Sequence, residues 1–230
     1  MVYNFNSGPS ILPQPVLEKA SQAILDFNGS GLSLLEIGHR TPLFGEVLDR
    51  ATAAVRQLMS LTDEYAVLFL HGGATTQFMQ VPMNLLDENG LGLYGVNGVW
   101  GEKAYKEGGL FGPVQVVSDG RPLHHEAIPK MANLPPATYL HLTSNNTVEG
   151  TQIHQLPFTQ TPLVLDMSSD IFSRPFAYTD CDLIYAGAQK NMGAAGVNLV
   201  VVKKSLLGKI NRKVPTILDY QQHIAAGSLM

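Results

Sequence analysis

Ala66-Val67-Leu68-Phe69-Leu70 runs into His71-Gly72-Gly73, and over residues 75–86 the pattern turns helical, with Pro82 implying a kink. A short apolar run, a glycine turn and a helix make up half of a βαβ unit, and the same texture recurs along the chain. Residues 91–94, 114–117, 138–142, 163–165, 182–185 and 197–202 read as further strands, with a helix-like stretch at 99–107. Runs this continuously apolar belong to strands buried on both faces. They predict an α/β fold, a three-layer αβα sandwich around a mostly parallel central sheet. Upstream, an extended arm carrying Pro9, Pro13 and Pro15 occupies residues 1–15, and a helix follows from near Pro15 to a stop at Asn28-Gly29. Residues 29–44 are loop-like. A second helix then shows Val47, Leu48, Ala51, Val55, Leu58 and Met59 on one apolar face. Beyond Val202 another helix-like stretch is expected, and residues 16–230 read as one large domain.

Bulk composition narrows the function classes. The 230 residues are 45% hydrophobic and 15% charged, enough apolar material for a sizeable core. A net charge of −4 without dense Lys/Arg clusters disfavours a nucleic-acid or anionic-membrane partner. The single cysteine, Cys181, excludes an internal disulfide and fits a reducing compartment. No signal peptide and no bilayer-length apolar run is visible, so the expectation is cytoplasmic.

Three features fall at the C-terminal ends of expected strands, where ligands bind in open α/β sheets. Gly72-Gly73-Ala74-Thr75-Thr76 joins a strand to a helix, where free N–H groups and small residues suit a phosphate, although a tight turn alone also needs glycine. Asp166 closes 163–165; there it either meets a cationic N–H such as a pyridinium or serves as an ordinary helix cap. Lys190, within Ala186-Gly187-Ala188-Gln189-Lys190-Asn191-Met192-Gly193, follows a buried strand, where a desolvated amine with a lowered pKa suits imine chemistry; the alternative is a surface lysine in a turn. An acid for a ring nitrogen, an amine for an aldehyde and a helix start for a phosphate are together what pyridoxal 5'-phosphate requires. Trp100 supplies a flat ring to stack on it, or fills the core. His124-His125 lack the spacing and partners of a metal site, so no metal is expected, and His141 and His154 read as structural. His71 caps a strand near the expected cofactor.

An ordered series of motifs extends this reading: Phe5-Asn6-Ser7-Gly8-Pro9, Gly38-His39-Arg40, His71-Gly72-Gly73 with Gln77-Phe78, Asn97-Gly98 with Trp100-Gly101, Ser144-Asn145-Asn146-Thr147 with Glu149-Gly150, Asp166-Met167-Ser168-Ser169 with Ser173-Arg174-Pro175, and Tyr185 through Asn191. In these the chain resembles the phosphoserine aminotransferases, fold-type I pyridoxal-phosphate enzymes of class V. The resemblance implies the large domain of that fold, with Lys190 as the covalent anchor and proton shuttle and Asp166 on the ring nitrogen. It implies Trp100 stacked on the ring, Thr147 at the phenolic oxygen, and Ala74, Thr75 and Gln189 at the phosphate. Ser7 and Arg40 would contact the amino-acid substrate, and His39 the substrate phosphate. The implied reaction moves an amino group from glutamate to 3-phosphohydroxypyruvate, in serine biosynthesis and in a related step of pyridoxine biosynthesis, by a homodimer.

Two departures qualify the resemblance. Thr75 stands where some relatives carry an arginine, and the 230 residues stop before the family's Asn-Thr pair and its smaller C-terminal domain. The chain by itself is therefore expected to hold the cofactor residues with weak or no turnover. Three other readings compete: a non-catalytic binding or assembly module, another fold-type I enzyme such as a cysteine desulfurase, and a nucleotide-binding domain. Trp100 in the stacking position and Cys181 on the approach to a buried strand argue against the desulfurase. Gly72-Gly73-Ala74 matches neither dinucleotide nor Walker spacing.

Overall fold

A computed structural model describes residues 3–131 and 134–230; the first two residues of the expected arm lie outside it. Its centre is a seven-stranded sheet built from β1 (Tyr65–His71), β2 (Gly92–Val96), β3 (Val114–Asp119), β4 (Tyr139–Thr143), β5 (Leu163–Asp166), β6 (Leu183–Gly187) and β7 (Val197–Lys203). The spatial order is β1-β7-β6-β5-β4-β2-β3. β2 pairs parallel with β3 and β4, β4 with β5, and β5 with β6; β7 alone runs antiparallel, between β6 and β1. Two reversals leave β1 parallel to the rest, so β1, β4, β5 and β6 all deliver their C-terminal ends to one edge of the sheet. The order also changes direction at β4, which opens a crevice there between the β2 side and the β5 side.

The five central strands alternate their side chains between two apolar layers. Tyr94, Tyr139, Val164, Tyr185 and Val200 face one layer, and Leu93, Leu140, Leu165, Ile184 and Val201 the other. Helices α3 (Ala74–Leu85), α4 (Val99–Gly108) and α5 (Tyr220–Ala225) cover the first face through Phe78, Val81, Ala104 and Tyr220. The second face is covered by the end of α2 (Pro42–Met59), through Val55 and Met59, and by turns and a short 3-10 helix carrying Met167, Ile171 and Tyr178. The sandwich is thus helical on one side and only partly so on the other.

Several expected boundaries move for local reasons. α1 (Gln14–Leu25) starts two residues inside the expected arm and ends before Asn28-Gly29, which form a left-handed turn at φ 54° and 74°. α2 begins at Pro42 rather than beyond residue 44, because proline lacks an N–H to leave unpaired and is preset for a first helical position. Leu58, expected on the inner face of α2, is exposed. α3 passes through Pro82 without ending, and after β7 the expected helical stretch is mostly short 3-10 turns before the six-residue α5. The histidines take structural places. His141, fully buried on β4, bonds Tyr185 Oη at 2.7 Å, and burial lowers its pKa to about 3, so its ring is neutral. His124 and His125 form a left-handed turn at φ 49° and 62°.

Candidate active site

At the C-terminal edge of the sheet, Gly73, Ala74, Thr75, Phe78, Trp100, Asp166, Ser168, Gln189 and Lys190 line one cleft. The two residues on which the sequence reading turned are therefore brought together. Asp166 ends β5, Lys190 lies three residues beyond β6, and β5 and β6 are hydrogen-bonded neighbours. A separate surface concavity lies at the opposite end of the strands, among Met131, 134–137 and 157–161, and none of these described residues is ionisable.

Asp166 is held by an Asx-type turn. Oδ1 accepts from the Ser168 N–H at 3.0 Å and from Ser168 Oγ at 2.6 Å, and Ser168 Oγ accepts in turn from the Gly187 N–H at 3.1 Å. Both bonds go to Oδ1, which leaves Oδ2 as the acceptor available to a ligand. Burial raises the carboxyl's pKa, against the lowering pull of Ser168 and of the Lys190 charge. A buried carboxylate with a spare oxygen and only a half-buried amine for company calls for a cationic donor. Ser168 is a positioning residue to which the sequence reading gave no role. Its signal was present in the Asp-x-Ser spacing.

Lys190 is half-buried, and desolvation lowers its pKa while Asp166 raises it, with desolvation the larger. Its Nζ donates to Thr147 Oγ1 at 2.5 Å and lies 5.5 Å from the Trp100 ring centroid. The loop carrying Thr147 is tied to the loop after β5 by Asn145 Nδ2 donating to Ser169 Oγ, at 2.8 Å, and by Ser169 Oγ donating to the Asn145 carbonyl, also at 2.8 Å. Trp100 packs at 6.5 Å from Phe78, and its Nε1 is buried without a hydrogen-bond partner. The indole therefore lines the cleft, packed against Phe78 and with the Lys190 amine near its ring.

The glycines at the start of α3 differ in purpose. Gly72 has φ +92°, and a Cβ there would lie 2.5 Å from Thr76 Oγ1, so the turn itself requires it. A Cβ on Gly73 would meet nothing within 4 Å, and Gly73 lines the cleft; here the missing side chain leaves space for a ligand. Gly73 offers no side-chain cap to α3, so the first-turn N–H groups at Ala74 and Thr75 stay free for an anion. Gln189 borders the same corner. Among the described residues no arginine lines the cleft.

The N-terminal arm is pinned onto the lysine loop. Ser10 N–H donates to the Gln189 carbonyl at 2.9 Å, and Ser10 Oγ donates to the Lys190 carbonyl. A Cβ on Gly8 would come within 2.9 Å of Lys190 Cγ. Gly8→Ala is therefore expected to displace the lysine stem and slow its reaction with aldehydes several-fold; stopped-flow absorbance checks this. Ser7, expected at the substrate, adjoins this contact and is exposed. His39 and Arg40 are exposed on the turn before α2 and line no part of the cleft; His39 instead borders a separate groove with Phe44, His71 and Met230. They had been named from resemblance, and the cleft of a single chain does not include them. Cys181 is fully buried at the start of β6, away from the cleft, and burial pushes its thiol up to about 12, which removes it as a nucleophile.

This arrangement coincides with a family match. The family model described as "Aminotransferase class-V" matches residues 2–216. The chain belongs to the class-V aminotransferases. Among curated relatives, it is 51% identical over 229 residues to the phosphoserine aminotransferase of Flavobacterium johnsoniae, which covers 99% of this chain and 64% of that protein. Among solved structures, the phosphoserine aminotransferase of Bacillus circulans subsp. alkalophilus superposes with a TM-score of 0.94 at 40% identity, over 100% of this chain and 64% of that one. The pyridoxal-phosphate-bound phosphoserine aminotransferase of Trichomonas vaginalis does so at 0.93 and 30%, over 100% and 66%. This class-V aminotransferase chain thus spans about 64% of the length of the curated relatives it matches. Among its described residues no helix is long and apolar enough to cross a membrane, and no cluster of three or more His, Cys, Asp or Glu is placed to hold a metal ion.

Proposed function

We propose that this chain is the cofactor-carrying part of a pyridoxal 5'-phosphate-dependent transaminase acting between L-glutamate and 3-phosphohydroxypyruvate, giving O-phospho-L-serine and 2-oxoglutarate. The observation that carries the reading is the convergence of Asp166 and Lys190 on one cleft beside the Trp100 indole and the start of α3. When bound, pyridoxal phosphate supplies an electrophilic carbon and a conjugated ring that accepts the electron pair released at the substrate's Cα.

The chain's own residues then divide the work. The Lys190 amine, whose pKa burial lowers, would hold the aldehyde carbon and is placed to move the proton at the substrate's Cα. Asp166, with Oδ2 unbonded, would hold the proton on the ring nitrogen. Trp100 would stack on the ring, and Thr147, bonded to Lys190, would meet the ring's phenolic oxygen. Ala74, Thr75 and Gln189 take the phosphate on N–H groups and side-chain donors. Ser7 and Arg40 bind the substrate carboxylate and His39 its phosphate. Because the last two stand off the cleft of one chain, these contacts belong to a homodimer. Exposed Phe5, Ile11 and Leu35, and an α1 that buries none of its residues, support such an assembly. A cytoplasmic location is part of the same proposal, consistent with the single reduced thiol.

The test is spectroscopic. Mixing the chain with pyridoxal phosphate is expected to give a visible band, and adding glutamate to the whole protein is expected to convert it to the amino form of the cofactor. A folded chain that develops no band overturns the reading. A band that glutamate leaves unchanged in the whole protein would instead favour a binding or assembly module.

A further inference from the structure

We infer that Glu149 is a positioning residue that caps the first turn of α4 and so fixes how Trp100 faces the cleft. It thereby joins the indole to the loop that carries Thr147. The inference rests on the cofactor reading given above. α4 starts from Gly98, which has no side chain to cap the helix. The cap comes from a distant loop, fifty residues on: the Val99 N–H donates to Glu149 Oε1 at 2.8 Å. A carboxylate at this end of a helix is favoured by both the free N–H and the helix dipole. Trp100 is the next residue, so the bond fixes the turn from which the indole projects.

Glu149 also lies two residues beyond Thr147, the partner of the Lys190 amine. The segment between them is a closed turn. The Asn146 N–H donates to the Thr151 carbonyl at 2.8 Å, Asn146 Nδ2 to Thr151 Oγ1 at 2.9 Å, and the Gly150 N–H to the Asn146 carbonyl at 2.8 Å. Movement at residue 149 is therefore transmitted to residue 147 as well as to Trp100. Gly98 confirms how closely the pieces meet. A Cβ there would lie 2.6 Å from both Glu149 Oε2 and Asn146 Oδ1, although φ of −178° is extended backbone open to any residue. Glycine is required at 98 for space, and any larger residue must displace the capping carboxylate.

Trp100 is the only tryptophan, so the fluorescence of the cofactor-free chain reports on this place alone. Glu149→Ala and Gly98→Ala are expected to shift the emission to longer wavelength. They should also weaken pyridoxal phosphate binding about five-fold, the scale of a lost helix cap, with the Lys190-dependent band still formed. Glu149→Gln keeps an oxygen for the Val99 N–H and should stay near the unaltered protein in both readouts. Unchanged emission and affinity in either alanine variant, with native far-UV circular dichroism, overturns the inference. Should Glu149→Ala not fold, Gly98→Ala decides alone. If the unaltered chain takes up no pyridoxal phosphate, it is the cofactor reading that fails, and the emission of the cofactor-free variants still decides the cap.

Discussion

Lys190→Ala is expected to abolish the visible band formed with pyridoxal phosphate while leaving the fold intact. Lys190 carries the only amine lining the cleft among the described residues, and alanine at this half-buried position removes one side-chain bond, to Thr147, and no core packing. Lys103 provides the internal control. Its Nζ lies 4.5 Å from the Trp100 ring centroid, but the residue is exposed on α4. A band that survives Lys190→Ala and disappears in Lys103→Ala would transfer the covalent role and sink the assignment. The pH dependence has a definite sign. Desolvation lowers the Lys190 pKa by more than Asp166 raises it, so the neutral, nucleophilic amine is populated at lower pH than in an exposed lysine. The initial rate of band formation should rise with pH through a midpoint below 10.5, the ordinary lysine value.

Asp166→Asn should separate stability from function. Burial raises the pKa of this carboxyl above 3.8, so the fold disfavours its charged form. A group of this kind contributes favourably below its unfolded pKa, and the contribution is lost as pH rises through the folded value. At neutral pH this raised pKa therefore counts against the stability of the cofactor-free protein. Asparagine removes the ionisable group and keeps Oδ1 for the two Ser168 donors. The cofactor-free variant is expected to be more stable at pH 7, seen as a higher Tm. The gain should vanish near and below pH 4. Turnover in the whole protein should fall by roughly 10²- to 10³-fold, the scale for removing a single preorganised electrostatic group. A lower Tm together with retained turnover would show that Asp166 does not hold the ring nitrogen.

Much of this was legible beforehand. Residues 66–70, 163–165, 182–185 and 197–202 announce their strands by apolar runs; Asp166 stands out because it follows such a run at once, and Lys190 because only small residues and Gln189 separate it from one. Ser168 was legible in principle, since an Asp-x-Ser turn is a local pattern. Glu149 was not. Its partner is a backbone N–H fifty residues away, and no spacing encodes that. For the same reason His39 and Arg40 were assigned to a cleft they do not reach within one chain: residue identity carries their chemistry, and position in space does not follow from it.

What the sequence determined alone was local: which runs become strands, where glycine permits a turn, and which acid and which amine lie at strand ends. Those outcomes depend on side-chain hydrophobicity and on backbone freedom over a few residues. Only the tertiary structure decided that β7 enters antiparallel between β1 and β6, which sets the start of α3 on the same edge as Lys190. It also decided that Trp100 and Thr147 flank the amine, and that burial shifts the pKa values of Asp166 and Lys190 toward each other. Strand partners and desolvation arise from contacts between segments far apart in the chain, so they exist only once it has folded.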